Sequence, residues 1–166
     1  DDRRIGSSEN FIYNNTVFIP SENPSNNNAS FDHLQIFIRP NTKDTYIYNN
    51  LIHISEKAKL KIDTRNDGTL NYWKNNLFFG NLVIDGASDY EHNGTELFSN
   101  PLLSNPGGTT ASDYKLQSTS PAIGSGYIIN GSDDVKNYIQ NNGGRDYFGN
   151  SVSSDSKPNI GAYNGN

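Results

Sequence analysis

The sequence predicts an all-β chain, a right-handed parallel β-helix (solenoid) of about three coils closed by an irregular C-terminal cap. Three observations predict it. Aromatic and branched apolar residues, among them 10 Tyr and 8 Phe, are gathered in short runs of strand length rather than in helical stripes. Asparagine is in large excess, with 26 in 166 residues, and several occur as Asn-Asn pairs inside apolar segments. A pattern of strand, Asn-Asn, strand recurs three times, and recurrence at a period in the twenties with three short strands per turn is the signature of a parallel solenoid.

The first copy spans residues 11–19, with Asn14-Asn15 between two apolar runs. The second spans 46–54 around Asn49-Asn50, and the third spans 72–79 around Asn75-Asn76. Asn50 and Asn76 are 26 residues apart, and so are Leu34 and Leu60, which open the strands before each of the last two copies. Two independent markers therefore share one period. Asn15 to Asn50 is longer by nine, and a polar insertion at 21–30 accounts for the excess. A further strand at 82–85 opens the next coil. Residues 1–96 are thus the coils and residues 97–166 a capping region of the same domain.

The Asn pairs have a physical reason to be there. A bend between two strands asks one residue to enter the left-handed region, which Asn tolerates better than other side-chain-bearing residues. Stacked coils then set Asn above Asn, so that each buried amide is satisfied by its own copy in the next coil. The expected ladder is Asn15, Asn50 and Asn76. Ile12, Val17, Ile47, Ile52, Phe78 and either Tyr72 or Trp73 would stack beside it inside the coil.

Composition excludes some functions. A net charge of -5 with no basic stripe disfavours nucleic acid and anionic membranes as partners. No cysteine is present, so hydrogen bonds and packing hold the fold. No run of 18 apolar residues provides a membrane span. The chain has no Met and opens on Asp1, and Phe11 begins in what reads as the middle of a coil. It is expected to be a processed product or an excised piece, with preceding β-helix coils or another chain covering the N-terminal face.

From residue 97 the pattern changes. Leu97-Phe98-Ser99-Asn100-Pro101 is followed by Asp113-Tyr114-Lys115-Leu116, by Ser120-Pro121-Ala122-Ile123, by Asp146-Tyr147-Phe148-Gly149, and by a closing Ile160-Gly161-Ala162-Tyr163. This order of motifs resembles the C-terminal end of secreted right-handed parallel β-helix proteins of the pectate-lyase-like superfamily. Asn100 stands where that pattern has Asp, and Gly124 where it often has Asp. The region reads as a lid over the open end of the solenoid, with prolines stopping further strand addition. Residues 133–139, with Ser132 as N-cap, are expected to form a short peripheral helix.

The resemblance implies an exported, secreted or cell-surface, bacterial protein that acts on polysaccharide as a lyase or glycoside hydrolase. Its catalytic residues are expected mostly upstream of this chain, and calcium is implied as a cofactor of such lyases. The alternative is a non-catalytic glycan-binding, adhesin-like or structural module. In the superfamily the glycan cleft follows one sheet and its turn, which selects Arg39, Asp63, Arg65 and Asp85 as a substrate-binding column. Each also reads as part of a polar turn. No metal site is predicted: the segment from Asp63 to Asp67 lacks the spacing and closing Glu of a calcium loop, and His33, His53 and His92 share no ligand spacing. Tyr13, Tyr46, Tyr48 and Tyr72 either stack on sugar faces or on one another between coils.

Overall fold

The computed structural model describes residues 8–20, 34–37, 43–56, 58, 60–63, 69–85, 91–92, 94–129 and 144–165. Eleven strands are found among them: β1 (Ser8–Tyr13), β2 (Thr16–Ile19), β3 (Leu34–Phe37), β4 (Lys43–Tyr48), β5 (Leu51–Ile54), β6 (Leu60–Asp63), β7 (Thr69–Lys74), β8 (Leu77–Phe79), β9 (Leu82–Asp85), β10 (Glu91–His92) and β11 (Leu97–Phe98). The one described helix is a single 3-10 turn, Ala111–Tyr114. The protein is all-β, and every pairing between these strands is parallel.

The strands form three sheets, ordered β1-β4-β7-β10, β11-β8-β5-β2 and β3-β6-β9. Successive strands are dealt to the sheets in strict rotation, so each strand pairs with those three places before and after it in the chain. Register fixes the spacing. Tyr46 pairs with Tyr72, and Leu34 with Leu60, each 26 residues on. The step from Tyr13 to Tyr48 is 35, with the insertion at 21–30 lying outside the described residues. Later steps contract, to 22 from Leu60 to Leu82 and to 20 from Leu77 to Leu97.

Alternation along each strand sends every second residue to a common core. Ile47 and Trp73 of the first sheet, Ile19, Ile52, Ile54 and Phe78 of the second, and Leu60 and Ile62 of the third form one buried cluster. Trp73, not Tyr72, is the inward residue of β7: it is fully buried. At the outermost strands the same columns come to the surface. Ile12 is 45% exposed against 3% for its register partner Ile47, and Val17 is 42% exposed against 4% for Ile52.

The corners between the first and second sheets are built by the Asn pairs. The first Asn of each pair takes the left-handed conformation, with φ of 54° at Asn14, 57° at Asn49 and 52° at Asn75. The second Asn faces its copies. Asn15 Nδ2 donates to Asn50 Oδ1 at 2.9 Å, and Asn50 Nδ2 donates to Asn76 Oδ1 at 3.0 Å. The same oxygens accept a backbone bond from the preceding corner, Asn15 N at 3.2 Å and Asn50 N at 2.9 Å. The second amide hydrogen goes to a backbone carbonyl, from Asn50 to Ile12 O at 2.9 Å and from Asn76 to Ile47 O at 2.7 Å. Asn50 and Asn76 are buried, and their amide groups bond in sequence through the stack.

A further pair of short strands, β10 and β11, follows where the sequence suggests the cap. Leu97 and Phe98 continue the second sheet, and Gly94, with φ of 76°, supplies the left-handed residue. Four residues separate His92 from Leu97 where three separate Trp73 from Leu77, so the Asn-Asn pattern is broken by one insertion.

The tail is not confined to the end of the stack, and the expectation of a lid over the last coil is corrected accordingly. Leu103, Leu116, Ala122 and Ile160 pack on Leu51 and Leu77, which alternate with the inward residues of β5 and β8. Ile129 and Tyr127 pack on Tyr46 and Tyr48 of β4. The tail reaches the first coil, where Ala162 N donates to Thr16 Oγ1 at 2.9 Å. At the far end, Phe98 stacks on Phe78 and is 57% exposed. The strands β5, β8 and β11 present a second apolar column, Leu51-Leu77-Leu97, on the face away from the core. The expected helix at 133–139 lies outside the described residues.

Candidate functional site

The third sheet carries the sequence-predicted column. Asp63 ends β6 and Asp85 ends β9, and they are register partners, with Phe37 of β3 in the same row. Adjacent parallel strands lie about 4.8 Å apart, so the two acidic positions are nearest neighbours on the sheet. Lys61 lies two rows back, in register with Gln35 and Val83. Arg39 and Arg65 lie outside the described residues. The fold therefore brings two of the four predicted positions together.

Among the described residues no group of three His, Asp or Glu side chains is placed to hold a metal ion. No reaction step is assigned to a metal.

The tyrosines have a different role from sugar stacking. Phe11, Tyr46 and Tyr72 are stacked rings on consecutive strands, with centroids 5.1 and 5.0 Å apart and planes within 10° of parallel. Tyr46 lies between the other two and is buried. Tyr48 is also buried, edge-on to Tyr46 and to Tyr127 of the tail. Lys74 Nζ sits over the rings of Tyr48 at 5.4 Å and Tyr127 at 4.6 Å. The ring faces of Tyr46 and Tyr48 are thus taken by the protein itself.

His53 stands on the face of β5 opposite Ile52 and Ile54, as its place in an alternating strand predicts. Its ring is wedged edge-to-face between Phe18 at 5.3 Å and Phe79 at 5.0 Å. It is 8% exposed, and its Nδ1 has no hydrogen-bond partner among the described residues. Burial therefore holds its pKa below the ordinary imidazole value, because the charged form would lose hydration with nothing in return.

Two further carboxylates have perturbed pKa values, and both close loops. At Asp146, burial pushes the pKa up, but hydrogen bonds from the Asn150 side chain and from the backbone of Asn164, Asn150 and Phe148 outweigh it and leave the pKa lowered. This carboxylate ties the turn at 146–150 to the last residues of the chain. Asp113 is lowered by bonds from the Thr110 hydroxyl and backbone and from the Asn105 amide, which close the 3-10 turn. The sequence singles out Asp146 and Asp113 only as motif letters, because their partners lie in loops with no periodic signal.

No protein-family model matches the chain, and no characterised protein matches it. Among the described residues no helix is long and apolar enough to cross a membrane.

Proposed function

We propose that the three parallel sheets are the walls of a right-handed parallel β-helix, and that the chain belongs to an exported protein that acts on a polysaccharide. The architecture is supported by the strict rotation of strands among sheets and by the single core that all three share. Crossovers between parallel strands are right-handed in nearly all proteins. The observation that carries the functional half is the Asp63–Asp85 row. Acidic positions on two neighbouring strands suit a ligand laid across those strands, with Arg39 and Arg65 of the sequence as further candidates.

A non-catalytic reading, in which the module binds glycan or serves as scaffold, has its own support. The two carboxylates with lowered pKa, Asp113 and Asp146, are both spent on loop closure. Neither is offered to a substrate.

Titrating the full chain with pectin, alginate and xylan, while assaying each for cleavage products, separates these readings. We expect binding to one of them, weakened about tenfold or more in Asp63→Asn with Asp85→Asn, and thermal unfolding unchanged. Equal binding by that variant removes the row from the site. Product release marks an enzyme, and binding without products marks a module.

A further inference from the structure

The ring faces of Tyr46 and Tyr48 are taken by the protein itself, but Tyr147 in the tail offers one to solvent. It is 76% exposed, more than any other large apolar side chain among the described residues. Tyr147 stands at the tip of a turn that is tied down beneath it. Gly149 N donates to Asp146 O at 3.1 Å, and Arg145 bridges to Ser151 at the base. The Asp146 carboxylate accepts from Phe148 N and Asn150 N on one oxygen and from Asn150 Nδ2 and Asn164 N on the other. A ring on so fixed a base loses little conformational freedom when a ligand stacks on it.

The surroundings of that ring are aromatic and cationic. Phe148 meets Tyr147 with centroids 5.2 Å apart and planes at 83°, a perpendicular contact that leaves a face of Tyr147 open. Phe148 is also perpendicular to Tyr163, at 5.3 Å. Lys115 Nζ is held over both of these rings, 5.0 Å from the centroid of Phe148 and 5.6 Å from that of Tyr163. Arg145 is exposed, and its Nη1 donates to Gly149 O at 2.7 Å, which occupies one of the five N–H donors of a guanidinium. Among the described residues no carboxylate forms an ion pair with Lys115 or Arg145. In a chain of net charge -5, two cations without acidic partners around an open ring are a local exception.

We infer that the turn at 146–149 is a binding site for a sugar unit that carries a carboxylate, with Tyr147 stacked on the C–H face of the pyranose and Lys115 and Arg145 selecting the negative charge. The inference rests on the polysaccharide reading above and names the chemistry of one unit of the ligand. An aromatic ring offers a pyranose an apolar face of matching size, and a guanidinium meets a carboxylate with two parallel donors. The overall charge restricts the ligand further. A polyuronate would be repelled along its length by the net charge of -5 and by the Asp63–Asp85 row, whereas an isolated acidic unit on a neutral glycan meets the local cations alone.

The test is a titration of the full chain with methyl β-glucuronide and with methyl β-glucoside, which has a hydroxymethyl group in place of the carboxylate, followed through the ring signals of Tyr147. We expect saturable binding of the glucuronide and binding of the glucoside weaker by about tenfold. Tyr147→Ala should lose both with thermal unfolding unchanged, and Tyr147→Phe, which keeps the ring, should bind the glucuronide as the native chain does. Lys115→Gln should weaken the glucuronide and leave the glucoside as it was. Absence of saturable binding, equal affinity for the two glycosides, or full binding by Tyr147→Ala overturns the inference. So does a mononucleotide bound more tightly than the glucuronide, which would assign the ring and its cations to nucleic acid. Asp63→Asn with Asp85→Asn keeps this site apart from the row. Polysaccharide binding that is lost in that variant, with no glucuronide binding to the native chain, removes the tail site alone. Glucuronide bound at Tyr147, with none of the polysaccharides bound elsewhere, supports the tail site and removes the row.

Discussion

Among the described residues between Thr45 and Phe79, contacts between neighbouring strands repeat one another, whereas after Ser99 the tail is fixed by partners that occur once. The stacked region repeats Tyr on Tyr, Leu on Leu and Asn on Asn. The tail relies instead on bonds such as Asn49 Nδ2 to Tyr127 O, Tyr127 N to Asn49 Oδ1, and Gly161 N to Asn49 O. Repetition distributes a loss over similar neighbours but makes the centre of each column indispensable. Unique contacts fail one at a time, and locally.

The largest expected loss is at the centre of the repetitive region. Trp73 is fully buried between strands that cannot close around a missing indole without breaking register. Trp73→Ala should cost about 3–5 kcal/mol of unfolding free energy, measured by chemical denaturation, with stack and tail lost together. A loss below about 1 kcal/mol would mean that the core tolerates a cavity there and is less tightly packed than its burial implies.

Asn50→Leu comes next. The substitution removes the side-chain donor to Ile12 O and to Asn76 Oδ1, which keeps only the Asn50 backbone N–H, and takes from Asn15 its acceptor, at an expected cost of about 2–3 kcal/mol. Asn15→Leu, at the partly exposed end of the same column, should cost less than half as much. Equal costs would show that the amides act as separate corners and not as a connected series. A double-mutant cycle of Asn50 with Asn76 measures that coupling directly.

Gly161→Ala tests the other side of the comparison. Gly161 has φ of +98°, and an added Cβ would lie 2.6 Å from Thr16 Oγ1 and 3.1 Å from Leu51 Cβ. Both the conformation and the space exclude alanine, at about 1–2 kcal/mol. Faster amide exchange is expected at Gly126, Ile160 and Ala162, while Leu51 and Leu77 keep their protection. Exchange that rises equally in both regions would make tail and stack one cooperative unit.

The difference between the regions also decides what the sequence reveals. The Asn pairs announce their corners because the left-handed φ and the amide bond both act within one short motif, and a 26-residue period then sets the register. The Asp63–Asp85 row is legible although its step is 22 and not 26, because each Asp closes a short apolar strand that opens on Leu, Leu60 or Leu82. The pair β10 and β11 is hidden because one extra residue and Gly94 replace the Asn-Asn signal. The tail's docking is hidden more deeply. Ala122, Ile160 and Gly161 fit a surface assembled from strands far earlier in the chain, and no local pattern encodes that surface. Asp146 shows the same limit, since three of its four hydrogen bonds come from backbone groups that any residue would supply.

Acid titration gives the smallest expected effect, and it resolves the two regions by pH. His53 titrates in the unfolded chain near 6.5 and, pushed down by burial, at lower pH when folded. The unfolded state then binds more protons in the window between those values. The stability that neutral His53 contributes is complete above pH 6.5 and falls as pH drops below it. Asp146 has a folded pKa below its ordinary 3.8, so its contribution is complete above pH 3.8 and is lost as pH falls through the folded value. The stack should therefore weaken first on acidification and the tail's closing turn later. His53→Phe, which keeps a ring between Phe18 and Phe79, should abolish the loss that begins at pH 6.5 while leaving the second loss in place. If the first loss survives in that variant, another group titrates in the stack, and the separation of the two regions by pH fails.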